Sequence, residues 1–281
     1  MSSLAPPVEQ PLTSTEKADG PAIRFADVSI AFDQPVLSGI SFQLNHGETK
    51  VLLGESGTGK TLILKLALGL IKPDSGTITV LGDEISAMRE EDMYALRRRI
   101  GMVFQESALF DSLTVEENVA YRLMEETGRL TDEIHARVLE ALEFVELGKT
   151  YNLSPGELSG GMRRRVAIAR AIITQPEVLL YDSPTGGLDP VTSNTIIELI
   201  VKQRDVYKTS SLLVTHRLQD AFTMASHYFD RSLNKMVPLE DGSERNVHTT
   251  FAILRDHAII FEGTAPELLR CHDPYIREYL S

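Results

Sequence analysis

The chain has 281 residues, 42% of them hydrophobic, enough for a full core that buries roughly three quarters of the unfolded surface. Its 28 Lys and Arg stand against 40 Asp and Glu, a net charge of −12, and that acidic balance argues against a surface built to follow nucleic-acid backbones. One cysteine, Cys271, excludes an internal disulfide and suits a reducing compartment; no run of about 18 apolar residues reads as a bilayer span, and the N-terminus has no basic start or apolar stretch of a secretion signal.

Residues 1–20, rich in Pro, Ser, Thr and Glu, read as a disordered tail. From Ala22-Ile23-Arg24-Phe25 through Val28-Ser29-Ile30-Ala31-Phe32, apolar and polar positions alternate as in a half-buried strand. Pro35 and Gly39 punctuate, Ile40-Ser41-Phe42-Gln43-Leu44 alternates again, and His46-Gly47 makes a turn. The opening strands therefore read as antiparallel.

Val51-Leu52-Leu53 is an apolar run expected to form a buried strand. It leads into Gly54-Glu55-Ser56-Gly57-Thr58-Gly59-Lys60-Thr61, which fits G-x-x-x-x-G-K-[ST], and then into the helix-forming Leu62-Ile63-Leu64-Lys65-Leu66-Ala67. Strand, glycine loop and helix in that order make a phosphate cradle. Glycines let successive N–H groups turn toward one anion, and the new helix adds its positive end. Lys60 is expected to reach the outer phosphates of a nucleotide and Thr61 to ligate Mg²⁺. The nucleotide-contacting stretch is expected to run from Gly54 through Leu62. Upstream, Phe32 either stacks on adenine or closes the core at a strand end.

Lys72-Pro73-Asp74-Ser75-Gly76 is a turn, Thr77-Ile78-Thr79-Val80 a strand, and Glu90 to Arg99 a charged helix. Ile100-Gly101-Met102-Val103-Phe104 is a strand ending at Gln105. Thr114 and Glu117 form a capping box that starts a helix. The apolar stripe Ile134, Val138, Leu139, Leu142, Val145 marks another helix. Leu158-Ser159-Gly160-Gly161-Met162 opens a further helix, with Ser159 able to cap it. Val178-Leu179-Leu180-Tyr181-Asp182 is an apolar strand ending in a carboxylate, and Asp189-Pro190 sets a cap and first turn. Ser211-Leu212-Leu213-Val214-Thr215 is a buried strand ending at His216.

Five signals thus stand in one order: the loop at 54–61, Gln105, Leu158-Ser159-Gly160-Gly161, Asp182 with Gly187-Leu188-Asp189 beyond it, and His216. This resembles the ATPase subunit of ABC transporters along residues 22–265. The resemblance implies an α/β P-loop NTPase fold of the ABC-ATPase type. A central, mainly parallel sheet would carry an antiparallel β subdomain and an inserted helical subdomain at about 106–175. The domain would span 21–265, followed by a helical tail at 266–281. It implies ATP and Mg²⁺ as ligands. Gln105 would contact Mg²⁺ or the attacking water and sense a membrane partner, and Asp182 would hold Mg²⁺ through water. Ser159, Gly160 and Gly161 would cap the γ-phosphate on a second subunit in a head-to-tail dimer. Asp189 would sit at the seam and His216 would touch the γ-phosphate.

The run Phe104 to Ala120 and the ending Asp273-Pro274-Tyr275-Ile276-Arg277-Glu278-Tyr279-Leu280 are similar to the Mla/Mce branch, which moves phospholipids and other lipids. That branch implies permease subunits, an Mce-type lipid-binding protein, no nucleic-acid partner, and a place on the cytoplasmic face of the inner membrane. Three departures stand out. Ser183 occupies the place where the family usually has its catalytic Glu, which keeps open an ATP-gated clamp with very slow hydrolysis. Residues 231–250 look like an inserted hairpin turning at Asp241-Gly242. Arg163-Arg164-Arg165 reads as a solvated helix face, with phosphate contact across a dimer as the alternative. The apolar stripe of the tail is expected to pack against a neighbouring subunit.

Overall fold

The computed structural model describes residues 20–240 and 248–280. The tail expected to be disordered, apart from Gly20, and the Asp241-Gly242 turn lie outside the described residues. Strands β1 (Ile23–Ala31) and β2 (Pro35–Leu44) pair antiparallel, and Phe25 stacks on Phe42 with ring centroids 4.7 Å apart. β3 (Thr49–Leu53) ends just before Gly54, and α1 (Lys60–Ala67) starts on Lys60. β4 (Ser75–Val80) returns beside β1 and carries the short β5 (Asp83–Glu84), which completes a four-stranded antiparallel sheet ordered β2-β1-β4-β5. α2 (Glu90–Arg97) leads into β6 (Ile100–Val103).

A helical segment follows: α3 (Val115–Thr127), α4 (Asp132–Phe144) and α5 (Gly160–Ile172). α3 begins where its capping box sets it. The Glu117 N–H donates to Thr114 Oγ1 and the Thr114 N–H to the Glu117 carboxylate. Of the α4 stripe, Ile134, Val138, Leu142 and Val145 are buried, and Leu139 is half-buried. The chain continues through β7 (Val178–Asp182), α6 (Pro190–Tyr207), β8 (Ser210–Val214) and α7 (Leu218–Ser226). β9 (His227–Asp230) and β10 (Lys235–Pro238) form a separate hairpin that begins earlier than the expected insertion. Its turn is tied by the Asp230 carboxylate, which accepts from the N–H groups of Ser232 and Leu233. β11 (Thr249–Arg255), β12 (Ala258–Thr264), α8 (Ala265–Arg270) and α9 (Pro274–Leu280) close the chain.

The main sheet has six strands in the order β12-β11-β3-β8-β7-β6. All pairs are parallel except β12 on β11. Both faces are covered, which is why these strands read as continuous apolar runs. Successive side chains point to opposite faces. Val51, Leu53, Leu179, Tyr181, Leu213, Phe251 and Ile253 belong to one core, with the helices. Leu52, Val178, Leu180, Leu212, Val214, Ala252 and Leu254 belong to the other, with the antiparallel sheet and α1. Among the described residues no helix is long and apolar enough to cross a membrane.

Ile276 is 1% exposed in the helical-side core of its own chain, with Tyr275, Tyr279 and Leu280 packed around it. Of the apolar stripe, Ile276 is covered by the domain that carries it, and Tyr275, Tyr279 and Leu280 are half-buried.

Candidate functional site

Four parallel strands end along one edge of the main sheet. In register, Val103 lies beside Tyr181, Asp182 beside Val214, and Leu52 beside Val214. The segments leaving those ends are Phe104-Gln105, Ser183 to Asp189, Thr215-His216 and the loop Gly54–Thr61. Ligand crevices of open α/β sheets form at such strand ends.

The loop is bonded within its own chain. The Lys60 ammonium donates to the Gly54 carbonyl at 2.8 Å and also to the Glu55 carbonyl, and the Thr58 hydroxyl donates to the Glu55 carbonyl at 2.9 Å. Burial lowers the Lys60 pKa, opposed by the charges of Asp182 and Glu55. Gly57 (φ 84) and Gly59 (φ 97) take left-handed backbone angles, and the space beside Gly57 is open. Ser56 is exposed and Leu62 buried. The Thr61 hydroxyl donates to Asp182 Oδ1 at 3.1 Å, so hydroxyl and carboxylate from two elements meet at one point. An open glycine cradle, a buried ammonium and a hydroxyl–carboxylate pair form a donor set that fits a nucleotide's phosphates with a hard divalent cation.

Asp182 is buried, and that burial raises its pKa. Thr61, Lys60, Lys65 and Arg164 oppose the shift. A carboxyl whose pKa is raised on folding loses stability as pH climbs from its unfolded value through its folded one. Asp182→Asn is therefore expected to stabilise the protein free of nucleotide and magnesium, with a clear gain at about pH 8 and little at about pH 4, near the unfolded pKa. Denaturant midpoints at the two pH values measure it.

Most of the other expected residues lie on the segments leaving that edge or at the starts of α5 and α6. Gln105 is exposed, and a Cβ on Gly186 would lie 3.6 Å from its side-chain nitrogen. Ser183 has φ 45, donates its N–H to the Val214 carbonyl at 2.8 Å and accepts from Gly186 at 2.9 Å. It is 8% exposed. His216 is exposed just past β8. Ser159 caps α5 by accepting from the Met162 N–H at 3.2 Å, and both Ser159 and Gly160 are exposed. Asp189 caps α6 by accepting from Val191 and Thr192, each at 3.0 Å. A Cβ on Gly161 would meet Thr192 at 2.4 Å, so the two capped helix starts lie against each other. Phe32 is 65% exposed, which rules out its reading as a core residue.

Sequence reasoning missed three arginines. Arg164 is not on a solvated face: it is 4% exposed and donates to the carbonyls of Phe104 (2.8 Å) and Gly186 (3.3 Å). Arg170, on the same helix, donates to the carbonyls of Ala108 (2.7 Å) and Ser107 (2.8 Å). Arg217, next to His216, donates to the carbonyls of Thr185 (3.3 Å) and Leu188 (3.5 Å) and to the Ser193 hydroxyl. The loops on both sides of the edge are thus tied by buried or half-buried guanidinium groups. A run of arginines on a helix carries no sequence signal that separates this from a wet face.

Comparison with known proteins gives the family. The family model described as ABC transporter matches residues 37–186. MlaF, the intermembrane phospholipid transport ATP-binding protein of Escherichia coli strain K12, is 34% identical over 245 residues, 87% of this chain and 82% of MlaF. The chloroplastic protein TRIGALACTOSYLDIACYLGLYCEROL 3 of Arabidopsis thaliana is 41% identical over 278 residues, covering 92% of this chain and 72% of that protein. The probable ribonucleotide transport ATP-binding protein mkl of Mycobacterium tuberculosis strain H37Rv is 33% identical over 274 residues, 97% of this chain and 70% of its own. Among solved structures, the dimeric bacterial ABC transporter cassette MJ0796 superposes with a TM-score of 0.72 at 27% identity, over 86% of this chain and 98% of that one. With phosphate loop, Leu-Ser-Gly-Gly helix and strand-end carboxylate all in place, the chain is an ATP-binding cassette of the ABC transporter family.

Proposed function

We infer that this cassette hydrolyses Mg-ATP to drive the movement of phospholipid, or a related lipid, through a membrane permease. The observation that carries the ATP chemistry is the meeting of Lys60, Thr61 and Asp182 at one sheet edge, within reach of the Gln105 segment. The names of MlaF and of its plant relative support lipid as the cargo, together with the Mla/Mce-like run from Phe104 to Ala120. The name of mkl points to ribonucleotide instead.

In this reading Gly54, Glu55, Ser56, Gly57, Thr58, Gly59, Lys60, Thr61 and Leu62 wrap the phosphates, and Phe32 offers its exposed ring to adenine. Thr61 and Asp182 would hold Mg²⁺, and Gln105 would contact that ion or the attacking water. When bound, that ion neutralises charge on the phosphate oxygens. Ser159, Gly160 and Gly161 present a helix N-terminus to the phosphates of a second copy, and Asp189 lines the seam. His216 reaches toward the outer phosphate. Ser183 carries no carboxylate, so hydrolysis is slow without the partner proteins. The permease contacts the Gln105 segment, an Mce-type protein handles the lipid, and the cassette sits on the cytoplasmic face of the inner membrane. Family membership favours this motor over a free-standing clamp.

The test uses proteoliposomes holding the cassette with the membrane proteins that co-purify with it. ATP is expected to drive transfer of a fluorescent phospholipid and to be consumed faster than by the cassette alone. ATP consumption that moves labelled ribonucleotide and no lipid would overturn the lipid assignment.

A further inference from the structure

The end of the chain comes back to the phosphate loop. The Gly54 N–H donates to the hydroxyl of Tyr279 at 3.2 Å, and the hydroxyl of Tyr275 donates to Glu55 Oε1 at 3.2 Å. Gly54 and Glu55 are also the residues whose carbonyls hold the Lys60 ammonium. On its other side Gly54 is crowded by β11, since a Cβ there would lie 2.5 Å from the Leu254 carbonyl oxygen.

Helix α9 is itself fixed. Ile276 anchors it in the core. The Asp273 carboxylate accepts from the N–H groups of Tyr275 and Ile276 at 2.9 and 3.1 Å. The Arg255 guanidinium lies 3.8 Å from the Tyr275 ring centroid. The Tyr275 and Tyr279 rings lie 6.0 Å apart, near parallel at 20°. The apolar contacts of Ile276, Tyr275, Tyr279 and Leu280 hold the helix on the core without using either tyrosine hydroxyl. What the two hydroxyls add is a grip on the first two residues of the loop.

We propose that α9 is a brace of the nucleotide site, in which Tyr279 and Tyr275 are positioning residues that set Gly54 and Glu55 and, through their carbonyls, Lys60. This rests on the reading of 54–61 as the ATP cradle. The physical reason is pre-organisation. A glycine-rich loop has many backbone conformations, and nucleotide must select one of them. The Gly54 amide is where such a loop departs from its strand, and a fixed hydroxyl acceptor there holds the departure angle. Linkage makes the effect reciprocal: nucleotide in the loop tightens α9 on its seat, and any protein that captured α9 would loosen nucleotide.

The experiment measures binding of fluorescent Mg-ATP analogue to the full chain, native and as Tyr279→Phe and Tyr275→Phe. Losing one neutral hydrogen bond is expected to raise Kd about three- to tenfold for Tyr279→Phe. In hydrolysis assays the rise appears in KM, with kcat little changed. The nucleotide-free melting temperature stays near native. Amide exchange across 274–280 is expected to slow when nucleotide is added, a readout that simple packing would not give. A Tyr279→Phe protein that melts earlier but binds as the native chain does would overturn the brace, as would exchange in α9 that ignores nucleotide. Should Tyr279→Phe not fold, Tyr275→Phe and the exchange measurement on the native chain decide the matter by the same criteria. A native chain that binds no nucleotide at all would instead overturn the cradle.

Discussion

Ser183→Glu is expected to raise single-turnover ATP hydrolysis at least about tenfold, a cautious share of the 10²–10⁴ that a positioned base contributes. Attack by water on a phosphoryl group needs the water oriented and its proton accepted. A serine hydroxyl cannot accept that proton unaided at neutral pH. Asp182 cannot take over, because the Thr61 hydroxyl bonds it at 3.1 Å and the pair forms the cation site of the proposed mechanism. The backbone at 183 is fixed by bonds to Val214 and Gly186 and already has positive φ with a side chain present. Glu adds length there without adding a branch at Cβ. Burial at this position would raise the new carboxyl's pKa, the direction that makes it a better base. The measurement compares native and variant beside the permease proteins. A fast native enzyme that glutamate does not improve would show that another residue serves as base. His216 would be the first to examine, since it follows the strand paired with Asp182.

Ser159→Arg is expected to keep ATP binding by the single chain and to abolish ATP-driven dimerisation, read by light scattering with and without nucleotide. The bonds that shape the 54–61 loop come from Lys60, Thr58, Asp182 and α9, and none comes from α5. A change at 159 therefore leaves that half of the site intact. The Ser159 cap contributes about 1 kcal/mol to the helix, too little for its loss to unfold the chain. An arginine side chain would cover the exposed N–H groups of α5, the ones proposed to face a second copy's phosphates. Dimerisation equal to the native chain's would refute a site shared between two copies.

Residues that must do something with the backbone were easy to see in the sequence. The 54–61 loop needs glycines at fixed spacing, Thr114 and Glu117 need each other, and Asp189-Pro190 needs a helix behind it. Strands covered on both faces are visible as apolar runs, with buried polar residues such as Thr49, Lys50, Ser210 and Ser211 at their N-terminal ends. Destinations were harder. The tail stripe shows that one face is apolar and does not say what meets it; in the structure Ile276 enters the tail's own domain while Tyr275, Tyr279 and Leu280 stay half-buried. Arg164 looked like surface because charge on a helix usually is; only the fold supplies the Phe104 and Gly186 carbonyls that make a buried guanidinium affordable. Phe32 sits at a strand end, where alternation stops being informative.

Helix α5 starts at the Ser159 cap and, through Arg164 and Arg170, grips Phe104, Ser107 and Ala108 along its flank. Its 13 residues make a rod about 20 Å long. A rod gripped at several points cannot tilt at one end and stay still at the other. A push delivered to the Gln105 segment would thus reach the cap proposed to face a second subunit, and the reverse load would travel the same way. Stroke and signal would then share one lever, and softening it at Arg164 should weaken the link between its two ends.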